Sequence, residues 1–268
     1  MSHGVLPPGP TRWNPLRTVP KLFRDPIGFL DHVQSTYGDV SYLRLFSQGA
    51  FYVHDPELVE NVLLKNANAY VKDMLLREVK LVLGDGLLTS DGSFWKRQRK
   101  LAAPFLTRRQ IERYAEVMRG LALDAVRALP DGEERDVHHE VMSLTLDVVN
   151  QTLFGSNLRV DPTHVGHNLD VVMDYFFRVS RSMKRLIPKW IPTRDNRNAT
   201  AAVKELDEIV FSIIEQRRSE GAEGDDLLSR LLSVRDEDGS QMNDTQVRDE
   251  VITMFLAGHE TSALTLAN

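Results

Sequence analysis

Ala257-Gly258-His259-Glu260-Thr261 brings a glycine, a carboxylate and a hydroxyl together inside a segment of helical periodicity. A glycine within a helix costs roughly 1 kcal/mol relative to alanine, so its presence asks for a packing partner or a ligand that comes close. Ala257 and Gly258 form a notch where another group can meet the backbone. Thr261 follows Ala257 by four residues, the spacing at which a threonine hydroxyl returns to the helix carbonyl, competes with the backbone bond and opens the turn slightly. Glu260 sets an acid beside that opening. Together these groups suit the holding of a small ligand and the delivery of protons to it. They equally suit close packing of two helices, with Thr261 bonded only to its own backbone.

Trp95 and Arg99 are four residues apart and therefore share a helix face. An indole N–H and a guanidinium fork are donors matched to carboxylates, although a half-buried tryptophan beside a surface arginine has the same spacing. Other candidates carry less. His138-His139 and His164…His167 have no cysteine to complete a zinc site, because the 268 residues contain none, and they read as solvated positions. Asp236-Glu237-Asp238-Gly239 reads as a solvated turn, since a calcium loop with Gly239 in sixth place would begin at the non-ligating Val234. Gly84-x-Gly86 lacks the third glycine of a dinucleotide fingerprint. Glu116…Arg119 and Glu215…Arg218 have the spacing of ordinary surface pairs.

The elements that must position these groups are mostly helices. Asn243 caps the last one, with Gln246 as capping-box partner and Met242 and Val247 at the positions of a hydrophobic staple. From there the pattern runs to Asn268, about 37 Å of helix. Helical patterns also cover Pro26 to Tyr37, Phe94 to Arg99, Arg109 to Ala128, Val137 to Phe154, Leu169 to Met183 and Ala199 to Arg218. Asp55-Pro56 opens a further helix with Leu58, Val59, Val62 and Leu63 at helical spacing. Val40 to Leu45 and Phe51 to His54 read as two strands joined by a Ser47-Gln48-Gly49 turn. Leu6-Pro7-Pro8-Gly9-Pro10 is a stiff, extended leader.

Within these elements the run Asp249-Glu250-Val251-Ile252-Thr253-Met254-Phe255-Leu256-Ala257-Gly258-His259-Glu260-Thr261-Ser262-Ala263 resembles the oxygen-binding central helix of the cytochrome P-450 family of haem-thiolate monooxygenases. The resemblance implies that Thr261 is the alcohol and Glu260 the acid of a proton-delivery pair, with Ala257 and Gly258 marking where dioxygen fits between helix and haem b. Trp95-Lys96-Arg97-Gln98-Arg99 is similar to the family's Trp-x-x-x-Arg helix, whose end residues bond the haem propionates, and it lies at the expected distance ahead of the central helix. Gly84-Asp85-Gly86-Leu87-Leu88-Thr89-Ser90 resembles the preceding loop, in which Leu88 faces the substrate pocket. Trp190-Ile191-Pro192-Thr193 resembles the connection between two lid helices, and Asp225-Asp226-Leu227-Leu228 also fits the pattern.

The resemblance implies a mainly α fold with a small β-sheet, of the bacterial soluble type. Its parts are a proline-rich leader (1–24), a β-hairpin (40–54), the propionate-binding helix (94–100), the lid helices (169–218) and the oxygen-binding helix (244–268). The implied activity is insertion of one oxygen atom from O2 into a small apolar organic substrate. Electrons would come from NAD(P)H through a ferredoxin or flavin reductase, and the Glu260-Thr261 pair favours dioxygen over peroxide. By analogy Lys96, Arg97, Lys100, Arg108 and Arg109 form either a solvated face or a dock for an acidic electron-transfer protein.

Composition excludes other classes. Apolar residues make up 42% and charged residues 26%, a globular balance, and a net charge of -5 is wrong for a nucleic-acid binder. The longest apolar stretches, such as Val251 to Ala257, fall far short of the roughly 20 residues that span a bilayer. The start carries no secretory pattern, so a cytoplasmic protein is expected. With no cysteine there is no thiolate ligand, and no Glu-x-x-Arg helix follows the central helix. The expectation is therefore a P-450 domain truncated within or at the end of its oxygen-binding helix, inactive alone, with an open hairpin edge. The alternative is a non-catalytic helical fragment or interaction module derived from the same fold.

Overall fold

The computed structural model describes residues 6–10, 21–22, 24–45, 48–72, 74–155, 162–180, 193–221 and 224–268. The chain divides into two units, Met1–Val71 and Lys72–Asn268.

In the first unit, helix α1 (Pro26–Tyr37) begins where the Asp25 carboxylate accepts the Gly28 N–H at 3.0 Å and ends at Gly38, whose φ of +89° suits glycine. Strands β1 (Val40–Leu45) and β2 (Gln48–Val53) pair antiparallel, from Val40 opposite Val53 to Leu45 opposite Gln48. Gln48 and Gly49 are thus strand residues rather than turn residues, because the ladder extends to Gln48; Ser47 lies outside the described residues. Part of the leader runs against β1, with the Tyr42 N–H donating to Pro8 O at 3.0 Å. A Cβ on Gly9 would stand 2.0 Å from Tyr42 O, so only glycine permits that approach. Asp55 caps α2 (Pro56–Glu60), accepting the Leu58 N–H at 2.8 Å. The helix expected to carry Leu58, Val59, Val62 and Leu63 gives way after Glu60 to a π turn, Asn61–Lys65, and a 3-10 turn, Ala67–Ala69. The wider π turn breaks the 3.6-residue period, and Leu58 and Leu63 are exposed.

The second unit is helical: α3 (Met74–Leu83), α4 (Gly92–Ala102), α5 (Arg108–Ala128), α6 (Val137–Phe154), α7 (Pro162–Ser180), α8 (Arg194–Ser219), α9 (Leu227–Ser233) and α10 (Asp244–Ala267). Two boundaries correct the sequence reading. Helix α7 starts at Pro162 rather than Leu169, since Val165, Leu169 and Val172 already form its buried stripe. Helix α8 starts at Arg194 rather than Ala199, because the Thr193 hydroxyl accepts the Asn196 N–H at 3.1 Å. Helices α3 and α9 are additions to that reading. Arg181 to Met183, the end of the first lid segment, and Trp190 to Pro192 lie outside the described residues.

Helix α10 is the axis of this unit. Both halves of its capping box are formed, Asn243 Oδ1 accepting from Gln246 N and Gln246 Oε1 from Asn243 N, each at 2.9 Å. Val247 to Thr253 are buried without interruption, so the helix is enclosed on all sides there. It packs most extensively along α6, where Phe154 and Phe255, each 1% exposed, stand 6.4 Å apart between ring centres. Full burial of such a ring contributes about 1.5–3 kcal/mol. Past Phe255 the enclosure opens, and Ala257, Thr261 and Ser262 are exposed. Among the described residues no helix is long and apolar enough to cross a membrane.

Candidate active site

The loop 84–90 joins α3 to α4 and lies against α10. Gly84, at φ +56°, ends α3, its N–H donating to Lys80 O at 2.9 Å. The loop then folds on itself: Thr89 Oγ1 donates to Gly84 O at 2.6 Å and Ser90 Oγ to Gly86 O at 2.9 Å. Its approach to α10 is close enough to require glycine, since a Cβ on Gly86 would stand 2.3 Å from Thr253 Oγ1 and 2.7 Å from Asp249 O.

An apolar cavity of about 750 Å³ opens between this loop, α5, α6 and α10. Leu87 and Leu88 line it from the loop, and Thr253, Met254, Ala257 and Gly258 from α10. The cavity thus brings together three of the residues singled out by sequence: Leu88, Ala257 and Gly258. The notch is tight on the α6 side, where a Cβ on Gly258 would come within 3.0 Å of Val149 Cγ2. Thr261 Oγ1 donates to Ala257 O, the bond expected from their spacing. Thr261 is exposed and Glu260 half-buried, and neither lines the cavity.

Trp95 and Arg99 share a face of α4, as their spacing requires. The guanidinium carbon of Arg99 stands 5.1 Å from the Trp95 ring centre, and Lys72 Nζ 5.6 Å from it. Arg99 is exposed and makes no ion pair among the described residues. Neither Trp95 nor Arg99 lines the cavity. Lys72 connects the two regions, its Nζ donating to Leu87 O at 2.8 Å and to Ser90 O at 2.6 Å.

Two consecutive carboxylates of α10 hold the opposite side of the loop, and the sequence reading gave them no role. Asp249 Oδ2 accepts the Asp85 N–H at 2.7 Å, and its Oδ1 accepts Arg248 Nη1 at 2.9 Å. Glu250, 0% exposed, accepts the Leu87 N–H at 3.1 Å and Gln98 Nε2 at 3.3 Å. Burial pushes Glu250 up to about 7; the bonds from Leu87 and Gln98 and the charge of Lys72 oppose that rise, and Asp249 adds to it. Burial likewise raises Asp249 and lowers Lys72. The available signal was an acidic pair that directly precedes the apolar run Val251 to Ala257. Lys72 had no signal of its own.

The other residues singled out by sequence have the following partners. Arg97 pairs with Asp236 at 2.9 Å, Lys100 with Glu237, and Arg108 with Glu112 at 3.1 Å, so this basic cluster is largely neutralised by its own acids. The Asp236–Gly239 turn supplies two of those acids. Arg119 pairs with Glu116 at 3.0 Å, as expected of a surface pair, whereas Arg218 bonds Asp244 at 2.7 Å instead of Glu215. His138 and His139 are exposed, and their backbone N–H groups donate to the Asp136 cap. Among the described residues no group of three or more acidic or histidine side chains is arranged to hold a metal ion.

Comparison with known proteins bears on the family of the chain. The family model described as Cytochrome P450 matches residues 7–268. The chain is 32% identical over 249 residues to Cyclooctatin synthase of Streptomyces melanosporofaciens, covering 91% of this chain and 54% of that protein. It is 32% identical over 251 residues to Pentalenene oxygenase of Streptomyces avermitilis, covering 92% and 54%. It is 29% identical over 272 residues to a bifunctional cytochrome P450/NADPH–P450 reductase of Bacillus cereus, covering 96% and 25%. The chain spans about half the length of the first two. A match running from the proline-rich leader through the notched helix leaves one assignment: the chain belongs to the cytochrome P450 family.

Proposed function

We propose that this protein is a haem-dependent monooxygenase that inserts one oxygen atom from O2 into a small apolar organic substrate. The observation that carries this reading is the meeting of Leu88, Ala257 and Gly258 on one apolar cavity, a turn away from the hydroxyl of Thr261. Overall, a C–H bond, dioxygen, two electrons and two protons become an alcohol and water. The electrons come from NAD(P)H through a ferredoxin or flavin reductase, a route consistent with the fused reductase in the Bacillus cereus relative's name.

The residues present fit haem b on its distal side. Arg99, stacked on Trp95 and without an ion pair among the described residues, offers its guanidinium to a propionate, and the indole N–H of Trp95 is a second donor. When bound, haem supplies the iron at which dioxygen is activated. The chain's own residues do the rest. The notch at Ala257 and Gly258 admits a small ligand against the backbone, and the apolar walls exclude water around the substrate. Thr261 donates its hydroxyl to Ala257 O within the helix, and Glu260 would pass protons from solvent toward that hydroxyl. The 268 residues contain no cysteine, so the thiolate that favours O–O cleavage in this family is not among the groups this chain contributes.

Turnover under isotopically labelled dioxygen tests the reading. The expected product carries one labelled oxygen atom, and label entering from water instead removes the monooxygenase assignment.

A further inference from the structure

The loop 84–90 carries two cavity-lining leucines, and its backbone is gripped from both sides. Glu250 takes the N–H of Leu87 at 3.1 Å and Lys72 takes the carbonyl of the same residue at 2.8 Å. Both backbone groups of one residue are therefore bonded by long polar side chains from separate segments. Asp249 adds a bond to Asp85 N–H and Lys72 a second to Ser90 O, so anchors lie ahead of and behind the leucines. Burial makes the charge of a carboxylate costly, and the partners that Glu250 meets in its enclosed place on α10 are the Leu87 N–H and Gln98. Gln98, 0% exposed on α4, donates to the other Glu250 oxygen and locks its rotamer.

We infer that Glu250 and Lys72 form a two-sided clamp on Leu87 that sets the Leu87–Leu88 wall of the cavity, and thereby selects ligands by width. This rests on the cavity being the substrate pocket. Both are positioning residues, since neither lines the cavity. Rotation of the Leu87 peptide would carry both leucine side chains with it, moving the wall toward or away from Ala257. Leu87 is half-buried and packs against the hydrophobic core, whereas Leu88 is 42% exposed, so the placement of Leu88 depends on the backbone that the clamp holds.

The experiment uses the full-length protein and its Glu250→Ala, Glu250→Gln and Lys72→Met variants. The probes are laurate, which is slender, and androstenedione, which is broad and polycyclic. Backbone amide exchange is read at Leu87 alongside. Glu250→Ala and Lys72→Met are expected to change the ratio of the two dissociation constants about tenfold or more, with amide exchange at Leu87 faster by a similar factor. Glu250→Gln, which keeps an acceptor for the Leu87 N–H, is expected to restore most of both. Because Lys72→Met attacks the clamp from the other side, the result does not depend on Glu250→Ala folding well. If the wild type binds both probes and the variants weaken both alike, the clamp is wrong while the pocket stands. If the wild type binds neither, the pocket reading falls and the inference with it.

Discussion

Glu250 is the residue whose chemistry most departs from its position in the chain. Its carboxyl is raised from 4.5 to about 7 because burial outweighs the two hydrogen bonds it accepts. The charged groups that face it are Asp249 on its own helix and Lys72 from the segment before α3; α4 presents only the neutral Gln98, and the loop's Asp85 bonds Asp249. The folded state holds the Glu250 proton at pH values where the unfolded chain has released it. This contribution to stability is complete below about pH 4.5 and is lost as pH rises to about 7. Glu250→Gln lacks that loss, so the variant should gain on the wild type by about 3 kcal/mol between pH 4 and 8. Urea unfolding at the two pH values checks this, and parallel stability profiles would contradict it. Thr261 belongs to the same scale. On the proposed function, the Thr261→Ala variant should keep consuming NAD(P)H while yielding several-fold less product per electron pair; unchanged coupling removes Thr261 from the proposed proton delivery.

Between elements, the contact of loop 84–90 with α10 is set by missing side chains. A Cβ on Gly86 would overlap both a side-chain oxygen and a backbone oxygen of α10, and the backbone of an enclosed helix does not yield easily. Gly86→Ala should therefore destabilise by about 2 kcal/mol or more. Gly258 is different, because its nearest obstacle is Val149 Cγ2 at 3.0 Å, which gives by a few tenths of an ångström. Replacing a helical glycine recovers up to about 1 kcal/mol, so Gly258→Ala should change stability by less than about 1 kcal/mol. The cavity-side effect of Gly258→Ala should instead appear as altered oxygen use by the full-length enzyme. Thermal melts of the two variants separate a glycine needed for packing from one retained for the ligand.

Across the Lys72–Asn268 unit, one arginine joins three helices. Arg217 of α8 donates to Phe154 O at the end of α6 at 2.6 Å. It also donates to Asp226 at 2.9 Å and to Ser229 at 3.1 Å, both at the start of α9. It thus satisfies a C-terminal carbonyl and pairs the acid that caps the next helix, whose carboxylate is 7% exposed. Arg217→Ala leaves the carbonyl without that donor and the buried carboxylate without its countercharge, with only the Ser229 bonds remaining, and a loss of about 3 kcal/mol is expected. Arg119→Ala, which removes only an exposed pair, should cost less than about 1 kcal/mol. Chemical unfolding of both variants compares the two, and equal losses would show that Arg217 does not join the helices as described.

Read alone, the sequence determined what depends on neighbours along the chain. The capping box at Asn243, the Thr261 bond to Ala257 and the shared face of Trp95 and Arg99 follow from spacings of three or four residues, which a helix fixes by itself. Only the tertiary structure decided what depends on partners far along the chain. Glu250 meets Leu87 across 163 positions, Arg97 meets Asp236 across 139, and Arg218 chooses Asp244 over the nearer Glu215. Those contacts arise from how helices pack, and packing is selected by the summed burial of many side chains, which no local spacing encodes.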